Sequence, residues 1–156
     1  ALPHQQPPIN STNFEPPNDA HRFPETAHWI EPGQIRIAGA LSTDFSAASV
    51  DFYRVTLCPG GVLFAAATFN STMGDLGIAL FDSDLTPLAS NDSSLHTFAL
   101  DGVQQRNVTH TNWQQTERDV FVSVYGENHY RLAYFLDTDV MGCQPQLQLQ
   151  PQQLWE

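Results

Sequence analysis

Residues 51–69 read DFYRVTLC, then PGG, then VLFAAATF. In the first run apolar side chains recur with a period of two, which is typical of a β-strand with one buried face. The second run is bounded by turn-forming residues and is rich in residues that favour strands. Pro59, Gly60 and Gly61 favour a tight turn, because proline fixes φ and glycine accepts positive φ. The stretch therefore predicts two strands joined as a hairpin.

The same pattern recurs along most of the chain. No window shows helical periodicity beyond two turns, and the best helical candidate is a short turn near Asn18–Phe23. The connection Asp82–Pro87 has the residues of a second hairpin loop. The chain is therefore predicted to be all-β, an antiparallel β-sandwich or jelly roll of about eight strands. The predicted strands are Gln34–Leu41, Asp51–Cys58, Gly61–Phe69, Leu76–Phe81, Leu95–Leu100, Asn107–Trp113, Asp119–Tyr125 and His129–Leu136.

Proline divides the chain into three zones. Seven of the eleven prolines lie in residues 1–32, two in 33–143 and two in 144–156. Proline-rich segments favour extended structure over packed structure. We therefore predict an extended N-terminal arm over residues 1–14, a folded domain over 15–143 and a Gln/Leu/Pro C-terminal arm over 144–156.

The charge of the chain excludes two classes of partner. It carries 17 Asp and Glu against 6 basic side chains, all of them Arg, for a formal charge of −11 at pH 7. Without a basic patch to neutralise phosphates, we expect no nucleic acid and no anionic lipid as partner. No apolar run approaches about 18 residues, so membrane insertion is not expected. The first residues, Ala1 to His4, resemble a mature terminus after removal of a signal peptide, which predicts an extracellular, secreted or cell-surface protein.

Asparagine occurs unusually often in the N-glycosylation motif Asn-x-Ser/Thr. Four of the eight Asn residues head such a motif, where chance predicts about one. The excess predicts N-linked glycans on an extracellular protein, and the alternative is that these are ordinary polar turns. The predicted sites are Asn10, Asn70, Asn91 and Asn107.

Cys58 and Cys143 are the only cysteines. In an oxidising compartment they predict one disulfide that closes a long loop, worth about 4 kcal/mol in the chain-entropy model. The alternative is a pair of free buried thiols, because cysteine is often buried without bonding.

Motifs spread over residues 15–136 resemble the bacterial pre-peptidase C-terminal domain. They are, in order, Glu15-Pro16-Pro17-Asn18-Asp19, Ala27, Glu31-Pro32-Gly33, Gly39-Ala40-Leu41, Asp51 to Leu57, Asp75 to Asp82 with Leu88 to Asp92, Val120 to Gly126, and Tyr130-Arg131-Leu132. The resemblance implies a jelly-roll sandwich that is a non-catalytic accessory module of secreted proteins. In collagenase relatives such modules bind calcium or extracellular polymers.

The resemblance also suggests a calcium site. Calcium takes six to eight oxygen ligands, and Asp51 shares a strand face with Tyr53 while Phe52 points the other way. The alternative is that Asn18 and Asp19 cap a short helix and that Asp51 starts a strand. The predicted calcium ligands are Glu15, Asn18, Asp19, Asp44 and Asp51.

No familiar catalytic motif is present in the sequence. Neither Gly-x-Ser-x-Gly nor His-Glu-x-x-His occurs, and the six histidines are scattered. Paired carboxylates could hydrolyse glycosides, but the sequence does not set their separation. We therefore expect no enzymatic activity.

The C-terminal arm alternates Gln and Leu with period two over Gln146–Gln150, as in a strand that needs a sheet to pair with. Such an arm can add to the sheet edge of a neighbouring copy, and head-to-tail addition gives a ring or a filament. The alternative is that both arms fold back on their own domain. The predicted assembly residues are Leu147, Leu149, Leu154 and Trp155.

The leading functional hypothesis is therefore a secreted, N-glycosylated structural protein that self-assembles through its terminal arms into an extracellular fibre or surface coat. The partner is then another copy of the chain, in a homo-oligomer or polymer. The alternative is a monomeric, calcium-dependent accessory module that binds matrix polymer or carbohydrate. In that case Trp29, Trp113 and Trp155 could offer aromatic faces to sugars, although packing in the core or at an interface is the favoured explanation for them.

Overall fold

The structure of the chain, a computed structural model, describes residues 12–14, 22–31, 35–41, 49–92, 102–126 and 131–143. Within these ranges the chain forms one 3₁₀ helix, Pro24–Thr26, and no helix that is long and apolar enough to cross a membrane. The described strands are β1 (Thr12–Phe14), β2 (His28–Trp29), β3 (Arg36–Leu41), β4 (Ser49–Leu57), β5 (Val62–Asn70), β6 (Gly77–Asp82), β7 (Pro87–Asn91), β8 (Val103–Thr111), β9 (Arg118–Gly126) and β10 (Leu132–Met141).

The strands form two five-stranded sheets that enclose one core. Sheet A has the order β1-β3-β10-β5-β8, and sheet B has the order β2-β4-β9-β6-β7. Neighbouring strands are antiparallel except β1 beside β3 and β2 beside β4, which are parallel. The predicted all-β sandwich is therefore confirmed.

The alternation along β4 explains how the core forms. Tyr53 and Leu57 point between the sheets and are fully buried. Phe52 points outward, where its ring centroid lies 6.5 Å from that of Phe81 and 6.4 Å from that of Phe121. Burying a large apolar side chain stabilises a fold by about 1.5–3 kcal/mol. The period of two read from the sequence thus separates the inner residues from the outer ones.

The turn at Cys58–Gly61 corrects the sequence prediction. It joins β4 of sheet B to β5 of sheet A, so the two strands face each other across the core and are not hydrogen-bonded as a hairpin. Gly60 has a φ of +79°, as expected for the turn. Turn-forming residues specify that the chain reverses, but they do not specify which sheet the next strand joins.

The connection between β6 and β7 is the predicted hairpin loop. The Asp82 amide donates to the Thr86 carbonyl at 2.9 Å, and the Leu85 amide donates to the Asp82 carbonyl at 2.8 Å. Asp84 Oδ1 accepts the Thr86 amide at 3.0 Å. Hydrogen bonds from the side chain and backbone of Thr86 lower the pKa of Asp84. The hairpin is therefore held by short-range bonds that its own Asp and Thr residues supply.

Three elements differ from the predicted set. Neither β7 nor the short strands β1 and β2 are among the strands predicted from the sequence. β1 lies in the last three residues of the predicted N-terminal arm and pairs with β3 of the same chain. The 3₁₀ helix begins at Pro24, just after the predicted helical turn near Asn18–Phe23, and residues 18–21 of that turn lie outside the described residues. The predicted strand Leu95–Leu100 also lies outside them.

Candidate functional site

Asn70 ends β5 and stands in an exposed turn. Its Oδ1 accepts the Thr72 amide at 2.9 Å and the Thr72 hydroxyl at 2.7 Å. These bonds form an Asx turn, in which the Asn side chain imitates a backbone turn. Because Oδ1 is the atom that accepts both bonds, the amide nitrogen Nδ2 is not needed for this turn. The geometry is compatible with a glycan on Nδ2.

Asn107 lies in the middle of β8, on the outer face of sheet A. Its neighbours Arg106 and Val108 are buried between the sheets, whereas Asn107 and Thr109 are exposed. A glycosylation motif inside a strand keeps Asn and Thr on the same face, because side chains i and i+2 point the same way. Asn107 therefore presents its amide above the sheet surface rather than at a loop tip.

A depression of about 760 Å³ lies on this outer face. Its floor is Ala66 of β5, which pairs with Asn107 of β8 on one side and with Asp137 of β10 on the other. One step along, Phe64 pairs with Thr109 and Asp139 in the same way. We call this set of six side chains, three strands wide, the outer groove: Asn107, Thr109, Ala66, Phe64, Asp137 and Asp139. The groove exists because a small residue, Ala66, is surrounded by larger ones.

The polar side of the outer groove is fixed by an ion pair. Arg36 Nε lies 2.7 Å from Asp137 Oδ1, and Arg36 Nη2 lies 3.0 Å from Asp137 Oδ2, so the contact is bidentate. The hydrogen bond to Asp137 raises the pKa of Arg36. The same guanidinium lies 4.7 Å from the ring centroid of Phe135. These contacts hold Asp137 in place, while Asp139 and Phe64 remain exposed.

Asn91, at the end of β7, adjoins Asn107. Its Nδ2 donates to the Asn107 backbone carbonyl at 3.1 Å, and its side chain is half-buried. A glycosylated Asn amide keeps one N–H, so this bond and a glycan on Nδ2 are chemically compatible. Two predicted glycosylation sites therefore meet at the side of the sandwich where β7 and β8 lie. The fourth predicted site, Asn10, lies outside the described residues.

The predicted disulfide between Cys58 and Cys143 is confirmed. It joins residues 85 positions apart, with Cα atoms 5.8 Å apart, and it ties the chain after β10 to the turn after β4. A Cβ at Gly61 would lie 2.9 Å from Cys58 Sγ and 3.0 Å from Cys143 Sγ. Glycine is therefore required where the turn passes the bridge.

Asn112 organises the same end of the sandwich. Its Nδ2 donates to the carbonyls of Leu57, Cys58 and Thr116 at 3.0–3.2 Å, and its Oδ1 accepts the Gln114 amide at 3.0 Å. One buried side chain thus ties the β4 turn to the β8–β9 loop.

Trp113 follows in that loop and is 83% exposed. Trp29 is 47% exposed on β2, at the opposite edge of sheet B from β7, whereas β7 lies against β8. These two tryptophans therefore do not form one platform for a sugar. Trp155 lies outside the described residues.

A buried polar cluster joins the two sheets near the starts of β4 and β10. Tyr134 Oη donates to Asp51 Oδ2 at 2.6 Å, and Tyr53 Oη lies 2.6 Å from Tyr134 Oη. Since the Tyr134 proton goes to Asp51, Tyr53 is the donor to Tyr134. The Tyr134 ring lies against Gly39, where an added Cβ would come within 2.6 Å of the ring.

Asp51 is the one predicted calcium ligand within the described residues. It is fully buried, and its Oδ2 is hydrogen-bonded to Tyr134. Within the described ranges, no group of three or more His, Cys, Asp and Glu side chains could hold a metal ion. The other four predicted ligands, Glu15, Asn18, Asp19 and Asp44, lie outside those ranges, so the calcium site stays a prediction.

The predicted assembly residues also fall outside the described part of the chain. These are Leu147, Leu149, Leu154 and Trp155. Cys143, the last described residue, is the root of the arm that carries them.

Sequence analysis did not find the outer groove or the role of Tyr134. Each depends on residues that are far apart in the chain. Tyr134 lies 83 positions from Asp51, and the groove combines β5, β8 and β10. One signal was available, because the alternation in β4 placed a carboxyl group in the core, and a buried carboxyl group needs a hydrogen-bond donor.

The chain was compared with protein families, curated proteins and solved structures. No protein-family model matches the chain, and no curated protein matches it. Among solved structures, the chain is similar to the pre-peptidase C-terminal domain of collagenase from Bacillus anthracis, with 11% identity and a TM-score of 0.46 over 86% of this chain and 99% of that chain. This is the domain that the sequence motifs resemble.

Proposed function

We propose that the chain is a secreted, N-glycosylated structural protein that self-assembles through its terminal arms into an extracellular fibre or surface coat. In this role it binds other copies of itself and catalyses no reaction. The C-terminal arm adds a strand to a neighbouring sandwich, and its leucines fill apolar pockets there. The glycans keep the outer faces soluble.

The observation that carries this proposal is the position of the disulfide. β10 lies inside sheet A, between β3 and β5, and the C-terminal arm follows it directly. A force on the arm would otherwise peel β10 out of the sheet. Because Cys143 is bonded to Cys58, the force passes into the turn between β4 and β5 instead. A covalent anchor at the root of a sticky segment suits a protein whose arm binds a neighbour.

The positions of the predicted glycosylation sites support different roles for two sides of the sandwich, one that carries glycans and one that is open to arm docking. Asn91 and Asn107 meet on the side formed by β7 and β8. A glycan on Asn91 would block strand addition along β8, a nine-residue edge strand that could otherwise pair with another chain. The opposite side, along β1–β3 and β2–β4, carries none of the three predicted sites within the described residues. Arm docking on that side is therefore compatible with glycans on Asn70, Asn91 and Asn107.

Substitutions in the arm of the full chain test the proposal. We expect wild-type protein to form polymers, which light scattering after size exclusion measures and negative-stain microscopy shows. Leu147→Asp combined with Leu149→Asp should leave it monomeric, because two charges cannot enter apolar pockets without a large desolvation cost.

The matched control is Gln146→Asp combined with Gln148→Asp, which adds the same charge to the other face of the predicted strand. This control should still polymerise. Monomeric wild-type protein at high concentration, or equal assembly by the leucine variant, would show that the arm does not drive assembly.

A second candidate function is the calcium-dependent binding module. The position of Asp51 favours it, since this buried carboxyl group lies near the start of β4 and the segment containing Asp44 connects β3 to β4. In the sequence, Asp44 lies seven residues before Asp51, in the connection that ends where β4 begins.

A further inference from the structure

We propose that the outer groove is the seat of the N-glycan on Asn107, so that the chain supplies its own carbohydrate ligand. This inference rests on the proposed glycosylation and goes beyond it, because it assigns the sugar a binding site. The glycan would lie across sheet A, from Asn107 over Ala66 towards Asp137 and Asp139. It would shield an exposed aromatic residue and stabilise the sandwich.

The attachment point determines the occupant of the groove. Asn107 is part of the lining and heads a glycosylation motif whose Thr109 lies in the same lining. A sugar on Asn107 therefore starts inside the depression and stays tethered to its lining. Tethering raises the local concentration of a ligand to the millimolar range, so weak contacts are enough to hold it. A free saccharide would have to displace the tethered one.

The chemistry of the lining suits a pyranose. Phe64 is 44% exposed and offers an apolar ring, against which the C–H face of a sugar can pack. Asp137 and Asp139 offer carboxylate oxygens that accept hydrogen bonds from hydroxyl and N-acetyl groups. β8 and β10 are two strand spacings apart, about 10 Å, which is the reach of about two sugar residues. The first sugars of the glycan would therefore cover the groove from Phe64 to the aspartates.

The covalent step is ordinary glycosyl transfer. A transferase joins Nδ2 of Asn107 to C1 of the first sugar, the bond from C1 to a lipid diphosphate carrier breaks, and Nδ2 gives up one proton. The Asn side chain keeps one N–H and its carbonyl oxygen. The modification requires no change in β8, whose backbone pairs with β5 throughout.

The test measures coupling between Phe64 and the glycan in full-length protein from a glycosylating host. Phe64→Ala is made in protein that carries the Asn107 glycan and in Asn107→Gln protein that lacks it. We expect Phe64→Ala to lower the melting temperature by about 2–4 °C more in the glycosylated protein, because only there does it remove an aromatic contact with sugar. Native glycosidase digestion gives a second readout. The Asn107 glycan should be released about fivefold more slowly than the Asn70 glycan, and Phe64→Ala should remove the difference.

Trp29→Ala is the matched control. Trp29 is 47% exposed, close to the exposure of Phe64, but it lies on β2 of sheet B and does not line the groove. Trp29→Ala should lower the melting temperature equally with and without the Asn107 glycan.

Mass spectrometry of the glycopeptides separates this inference from the proposed function. Glycans on Asn70 or Asn91 together with an unmodified Asn107 would contradict the binding of a glycan in the outer groove, but they would not contradict the proposed function. A glycan on Asn107 that shows no melting-temperature coupling to Phe64 and no slow release by glycosidase would contradict the same inference and leave the proposed function standing. Absence of glycan from every motif in the native protein would overturn both the seat and the glycosylated character of the proposed function.

Discussion

Tyr134 links the two sheets through buried polar contacts. Its hydroxyl donates to Asp51 of the opposite sheet and accepts from Tyr53. Both hydroxyls are buried, so neither can exchange its partner for bulk water. Gly39 makes the arrangement possible, because any Cβ there would strike the Tyr134 ring.

Tyr134→Phe should lower the free energy of unfolding by about 1–3 kcal/mol, because it removes one hydroxyl and leaves Asp51 and Tyr53 buried with one bond fewer each. Chemical denaturation measures this loss, and we expect the m-value to stay unchanged.

The control for this change is Tyr125→Phe, which removes a hydroxyl whose bond to Asp92 is 3.3 Å long and exposed. It should cost no more than about 0.5 kcal/mol. Equal losses for the two variants would show that the buried cluster contributes nothing beyond an ordinary surface bond.

Among the strands, β10 is held in place by pairing on both sides and by the disulfide that follows it. It pairs with β3 over its first half and with β5 over nearly its whole length, and the disulfide follows two residues after it ends. The bridge therefore closes a loop that contains β5 to β10 and excludes β1 to β4. It restricts the unfolded chain strongly because that loop is long.

Replacing both cysteines with serine should lower the free energy of unfolding by about 4 kcal/mol in the chain-entropy model. The m-value for urea should rise, because the unfolded chain without the bridge exposes more surface.

Wild-type protein unfolded with and without a reducing agent provides the comparison that involves no substitution. A loss below about 1 kcal/mol would mean that the bridge strains the fold by nearly as much as it restricts the unfolded chain.

At the scale of the whole molecule, the two candidate functions differ in what the acidic surface does. A formal charge of −11 disfavours close packing of copies unless specific contacts offset the repulsion. Arms that add strands and fill pockets could supply such contacts. Bound calcium would instead neutralise part of the charge within one molecule.

A thermal melt with calcium and with chelator distinguishes these functions. An ion that binds only the native state should raise the melting temperature by about 5–10 °C at saturation, whereas the structural-protein proposal requires no shift. Asp44→Asn should abolish the calcium shift, and Asp84→Asn in the exposed β6–β7 hairpin should preserve it. A shift that survives Asp44→Asn would place the ion elsewhere.

Local chemistry was sufficient to predict much of the fold. The alternation in residues 51–57 predicted β4 and its inward face. The turn residues of Asp82–Pro87 predicted the loop that joins β6 to β7, although β7 itself was not predicted. Two cysteines permit only one intramolecular pairing, which is the observed one. The glycosylation motif at Asn107 is evident from the sequence, and it lies in the predicted strand Asn107–Trp113.

The amino-acid sequence by itself determined seven of the ten described strands, their buried faces, the disulfide and the glycosylation motifs, because each depends on neighbours within a few residues or on the count of one residue type. Only the tertiary structure decided that the Cys58–Gly61 turn crosses between sheets, that Tyr134 meets Asp51, and that Asn107 opens onto Phe64, Asp137 and Asp139. The physical reason is that strand order follows from burying both sheets against each other at once, and this long-range condition leaves no mark in any short segment.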